Sequence, residues 1–166
     1  MIYNFEFVGG INNSFTIVTK SDVIYEIKFK PSNYLLVEDN LENELVFEFV
    51  IEVLYKPENV ALTLDKYIGT TINQIFHEFY NFFNESVTVY ICDSSDGRQF
   101  VRKRKFDNWF EEFNNNSFIK VDDIVLDSEQ NSYPVSFILK KDNPKFHTIL
   151  NILTKTVSTT NENKNS

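Results

Sequence analysis

The chain has 166 residues, 42% of them hydrophobic and 24% charged, with a net charge of -8. That length carries one domain with a sizeable core, and the acidic balance opposes nonspecific binding to nucleic acid or to a membrane surface. The single cysteine, Cys92, excludes an internal disulfide and fits a reducing cytoplasm. No apolar run approaches the roughly 18 residues of a membrane span, and MIYNFEFVGG lacks the basic and then apolar regions of a signal peptide.

The first third reads as β-structure. Tyr3, Phe5 and Phe7 alternate, as do Phe15 and Ile17, and then Val23, Tyr25, Ile27 and Phe29. Pro31 ends the third run. Residues 32–45 are polar and rich in Asn and Glu, a loop with room for a short strand at Tyr34–Val37. VFEFVIEVLY follows as a strong strand. Phe47, Phe49, Ile51 and Val53 share one face, and Glu48, Val50, Glu52 and Leu54 the other.

After Pro57 the period changes. Ile68, Ile72, Ile75, Phe76, Phe79, Phe82 and Phe83 recur at helical spacing and predict a helix over 66–84, with Asp65 as N-cap. SVTVYICD reads as a strand buried on both faces. Asp96-Gly97 marks a turn, and QFVRKRKFDNWFEEF a second helix with an apolar stripe of Phe106, Trp109, Phe110 and Phe113. SFIKVDDIVLD and SYPVSFILKK pair as strands around SEQN, with Pro134 near the start of the last. A short helix follows Pro144, with Phe146, Ile149, Leu150 and Leu153 apolar. The expected architecture is α+β: a mixed, mostly antiparallel sheet of about seven strands with three helices and one parallel strand-helix-strand unit. Residues 1–156 read as one domain and 157–166 as a disordered polar tail. The 17 Phe and 8 Tyr fit an aromatic core, with a stacking surface as the minor alternative.

The element order resembles that of the GNAT acyltransferase superfamily, in which antiparallel strands lead into a helix, a parallel strand, a second helix and a final strand pair. In that family the cofactor loop reads Gln or Arg, two residues, Gly, one residue, then Gly or Ala, at the N-terminus of the helix after the fourth strand. KYIGTT stands at that place, with Lys66, Gly69 and Thr71 at the matching spacing and Thr70 among them. The resemblance implies acetyl-CoA as ligand, its pyrophosphate taken by helix-start N–H groups. Thr71 departs from the small residue of the family, and a small Gly69 also serves close helix packing. Aligned on Phe118, Phe113 falls where the family has the tyrosine that protonates the departing CoA thiolate, and Ser117 at its glycine. Trp109 falls at an alanine, crowding the pantetheine groove, and Phe106 at an asparagine. Phe113 has no proton to give, so the residues argue against ordinary catalysis. The stretches TINQIFHEFYNFF, VYICDSSDGRQ, RKRKFDNWF and KKDNP also resemble an uncharacterised bacterial family, a domain of unknown function, which implies no activity.

Five cations, Arg98, Arg102, Lys103, Arg104 and Lys105, crowd into eight residues of this acidic chain. Arg98, Arg102 and Lys105 fall on one side of the helix. They suit a phosphate or other anion, or an acidic protein partner, or a solvated face balanced by Glu111 and Glu112 whose arginine stems cover aromatics. RNA is disfavoured by the overall charge. Glu52 is the candidate general base of an N-acyltransferase; Glu48 and Glu52 equally suit pairing with lysine on a neighbouring strand. His77 reads as a surface residue and Cys92 as a small core residue. No metal-ligand spacing, phosphate loop or dinucleotide fingerprint appears. The leading expectation is a non-catalytic binding or regulatory module working in the groove between KYIGTT and the basic helix. An acyl-CoA-dependent N-acyltransferase and a module docking an acidic partner remain the alternatives.

Overall fold

A computed structural model describes residues 1–32, 46–62, 66–92 and 95–164. The elements in chain order are β1 (Phe5–Gly9), β2 (Ser14–Val18), β3 (Ile24–Pro31), β4 (Val46–Tyr55), α1 (Lys66–Phe82), β5 (Val87–Ile91), α2 (Gln99–Phe113), β6 (Phe118–Leu126), β7 (Ser132–Lys140) and α3 (Phe146–Lys164). The short strand expected at Tyr34–Val37 and the N-cap Asp65 lie outside the described residues.

The strands form one sheet in the order β1-β2-β3-β4-β5-β7-β6. Every pairing is antiparallel except β4 with β5, whose connection runs through α1. This is the mixed, mostly antiparallel α+β architecture that the element order predicts. The last strand inserts between β5 and β6, pairing Thr88 with Ile138 on one side and Lys120 with Ile138 on the other.

Alternation decides what each face buries. Phe15, Ile17, Tyr25, Ile27, Phe29, Phe47 and Phe49 point to one face, where they meet Ile68, Ile72, Ile75, Phe76 and Phe79 of α1 and Phe106 of α2. Phe29 stacks on Phe79 with centroids 3.8 Å apart and planes 5° from parallel, and Phe47 meets Phe79 edge-on at 5.0 Å. Such ring pairs contribute about 0.5–1.5 kcal/mol beyond the area they bury. The opposite face carries a second cluster, Val46, Val87, Val89, Val135, Phe137 and Leu139, covered by Ile149 and Leu153 of α3. Helices therefore cover both faces, α1 and α2 on one and α3 on the other.

Tyr80 ties α1 to the centre of the sheet. Its fully buried hydroxyl lies 2.7 Å from Thr88 Oγ1 and 2.9 Å from the Ile138 carbonyl oxygen. It donates to the carbonyl and accepts the threonine proton. At the far hairpin, Asp127 Oδ1 accepts the backbone N–H groups of Glu129 and Asn131 at 2.8 and 2.9 Å and so closes the β6–β7 turn.

Two expectations change. The helix α3 runs from Phe146 to Lys164, longer than the short helix expected after Pro144. Once a nucleus is held against the sheet at Ile149 and Leu153, each further residue adds a helical hydrogen bond without a new nucleation cost. His77 is half-buried, not a surface residue, with its ring 5.3 Å from that of Phe118.

A cleft where two strands part

β4 is ten residues long and β5 only five. Their ladder consists of Val46–Val87, Phe47–Thr88 and Glu48–Val89, and then it stops. Beyond it β4 stays paired with β3 as far as Tyr55, and β5 stays paired with β7 as far as Ile91. The two strands therefore part in the middle of the sheet. Among the described residues no strand fills the gap.

A cleft of about 320 Å³ lies at the parting, lined by Ile51 of β4, Tyr90 of β5, and Arg102, Lys105, Phe106 and Trp109 of α2. The Tyr90 ring stacks on Phe106 at 4.0 Å. Burial pushes the Tyr90 hydroxyl far above the usual phenol range, with Cys92 beside it adding to the shift. The group stays protonated at neutral pH and can act only as a neutral donor or acceptor. Cys92 is fully buried, and burial pushes its thiol up to about 11.

The α2 start is shaped by its own side chains. Gly97 takes φ 70° in the turn, a conformation that favours glycine. Asp96 Oδ1 accepts the Arg98 backbone N–H at 3.0 Å. The Asp96 carboxylate also receives both terminal nitrogens of Arg102, at 2.7 and 2.6 Å. That fork holds the Asp96 carboxyl down to about 2. Lys103 faces the sheet, bound to Asp107 at 2.5 Å and to Asp122 at 3.1 Å. Lys120 bridges the same two carboxylates at 2.8 and 2.6 Å, and Ser136 donates to Asp122. Two of the five crowded cations are thus neutralised locally. Arg98, Arg104 and Lys105 are exposed and carry no ion pair among the described residues.

The groove between KYIGTT and α2 exists, but its chemistry differs from that expected. It is a half-open apolar chamber, with about 420 Å³ of empty space that includes its opening to solvent, bounded by Gly69, Ile72 and Phe76 of α1 and by Phe106, Trp109 and Phe110 of α2. Of the basic residues, Arg102 and Lys105 line the separate cleft, which shares Phe106 and Trp109 with the chamber. Gly69 is the member of the KYIGTT group that the fold brings against α2. Thr71 is fully buried, accepting the Tyr3 backbone N–H at 2.9 Å and donating to the Tyr67 carbonyl at 2.6 Å. Thr70 donates to the Lys66 carbonyl within its own helix. Lys66 Nζ sits 5.3 Å from the Tyr67 ring centre, with Lys20 at 5.2 Å.

Glu52 lies away from both cavities. It points to the face opposite α1 and α2, where its carboxylate takes Lys28 at 2.6 Å, while Glu48 takes Lys30 at 3.4 Å. The alternating face that carries Phe47, Phe49 and Ile51 is the one turned to the cleft. Ile51 and Tyr90 are the lining residues that pattern reading does not single out. The usable signal is the mismatch between a ten-residue strand and a five-residue parallel neighbour.

Among the described residues no group of His, Cys, Asp or Glu is placed to hold a metal ion. None of the helices there is long and apolar enough to cross a membrane. No curated protein and no solved structure matches the chain. One family model does match, over residues 64–155, and its span takes in α1, β5, α2, the β6–β7 hairpin and the start of α3. Both walls of the apolar chamber and the basic wall of the cleft fall inside that span, and by this match the chain belongs to the family of unknown function DUF6169.

Proposed function

We propose that the chain is a non-catalytic binding or regulatory module whose ligand is an anionic small molecule seated where β4 and β5 part. The observation that carries this reading is the juxtaposition of an exposed cation, Lys105, with Arg102, Tyr90 and two aromatic rings in a gap of the sheet. An anion there gains charge-assisted hydrogen bonds from Lys105. The aromatic wall of Phe106 and Trp109 gives an apolar or planar body something to pack against.

The GNAT resemblance fits this placement. Antiparallel strands lead into α1, the parallel β5, α2 and a final strand pair, and the parting of β4 and β5 supplies the kind of opening an acyl-CoA needs. The chemistry expected of that family lacks its groups here. Glu52 is engaged with Lys28 on the other face, and α2 ends in Phe113 where a tyrosine would donate a proton. The parted strands are also what favours the second reading, an acyl-CoA-dependent N-acyltransferase.

Thermal unfolding with excess acetyl-CoA, free CoA and ATP tests the proposal. A ligand at about 100 times its Kd adds about 2.7 kcal/mol, which raises the melting temperature of a domain this size by about 5–10 °C. We expect such a rise, abolished by Lys105→Glu. A rise selective for acetyl-CoA, together with turnover of an amine, would replace binding with acyl transfer. No rise with any of the three would overturn anion binding and leave the exposed Arg98, Arg104 and Lys105 as a face for an acidic partner.

A further inference from the structure

The cleft and the apolar chamber are neighbours with a common wall. Phe106 and Trp109 line both. On one side of that wall are Arg102 and Lys105; on the other are Ile72, Phe76, Phe110 and Phe118, with Asn73 and Asn114 as the chamber's polar side chains. The chamber's lining is almost wholly apolar, which suits a hydrocarbon better than a polar group. Trp109 is only half-buried, and it borders both spaces. We infer that the chamber is the tail site for an amphiphilic anion. An unbranched acyl chain passes Trp109 into the chamber while its carboxylate stays in the cleft against Lys105.

The inference rests on the cleft being an anion site and adds the class of ligand. Charge and polarity decide between occupants. A wholly polar anion leaves the chamber unused, and an uncharged hydrocarbon leaves Lys105 unpaired. A long-chain cation would meet Lys105, since Arg102 is already matched by Asp96. An amphiphilic anion matches both halves at once, through apolar burial in one and charge pairing in the other.

Trp109 is the only tryptophan in the chain, so its emission reports on the wall itself. The experiment titrates the full chain with dodecanoate below its micelle concentration and follows that emission. Hexanoate, dodecanol and dodecyltrimethylammonium serve as controls. We expect a saturable change with dodecanoate, and weaker binding by roughly 100-fold or more for hexanoate, which buries six fewer carbons. Lys105→Glu should weaken dodecanoate by about tenfold or more. Asn73→Phe, a half-buried position on the chamber side alone, should fill the chamber and weaken dodecanoate similarly. It should keep the thermal response to polar anions, which also shows that the variant folds. If dodecanoate leaves the emission unchanged while polar anions still stabilise the chain, the tail site is refuted and the anion cleft stands. If neither binds, both fall. Equal binding of dodecanol or of the long-chain cation overturns the head-group assignment. Equal binding of hexanoate, or full dodecanoate affinity in Asn73→Phe, overturns the chamber as the tail's place.

Discussion

Removing one oxygen atom from Tyr80 should cost this fold about 2 kcal/mol. Tyr80, Thr88 and Ile138 are all at most 2% exposed, so water does not replace a lost partner. Tyr80→Phe deletes the hydroxyl that reaches Thr88 Oγ1 at 2.7 Å and the Ile138 carbonyl at 2.9 Å. The hydrogen bond itself contributes about 0.5–1.5 kcal/mol net, and a polar group left buried without a partner costs about 1–3 kcal/mol. The phenyl ring keeps its packing against Phe118, 5.0 Å away, so no cavity adds to the loss. A loss of 2 kcal/mol corresponds to a fall of about 4–8 °C in melting temperature for a chain of this size. Urea unfolding of the parent, Tyr80→Phe, Thr88→Val and the double variant closes a cycle. The double variant should lose less than the sum of the singles, by about 0.5–3 kcal/mol. Additive losses, or a Tyr80→Phe loss below about 0.5 kcal/mol, would refute the account of a shared, dry hydrogen bond between α1 and the sheet.

Two further outcomes follow from groups near the site. Burial, with Lys140 adding to it, lowers the His77 pKa below its ordinary value of 6.5. The unfolded chain then takes up a proton before the folded one does, so stability present above pH 6.5 falls as the pH drops through the lower folded value; in urea unfolding at pH 5 and pH 8, His77→Gln should lose this part of the slope, and an unchanged slope would refute it. Burial that pushes Cys92 to about 11 leaves roughly 100-fold less thiolate than an ordinary thiol near 9. Iodoacetamide at pH 8 should therefore label the native chain about 100-fold more slowly than the urea-unfolded chain, whereas comparable rates would show the thiol to be accessible.

Much of the fold is legible in residue periods. Tyr25, Ile27 and Phe29 alternate because one face of β3 meets α1, and Ile68, Ile72, Ile75 and Phe79 recur because one face of that helix meets the sheet. The parallel β4–β5 pair follows from a helix between two strands. The insertion of β7 between β5 and β6 has no local signal, because β6 and β7 would pair as a hairpin in either arrangement. The site is less legible. The crowding of Arg98 to Lys105 is plain in the sequence, but which of them find a carboxylate depends on Asp96, Asp107 and Asp122, and Asp122 approaches only when the chain folds back. Glu52 shows the same limit. Its period places it on a face, and only the register with β3 brings Lys28 to it.

The short ladder between β4 and β5 gives the sheet a hinge line. Three residue pairs join the β1–β4 meander to the β5–β7–β6 half, against eight between β3 and β4. Across the joint lies α1 like a dowel, with Phe79 against Phe29 and Phe47 on one side and Tyr80 against Thr88 and Ile138 on the other. Phe106 of α2 pins the open end, 6.3 Å from Phe49 and stacked on Tyr90, so the opening angle is set by side chains on two helices rather than by the ladder.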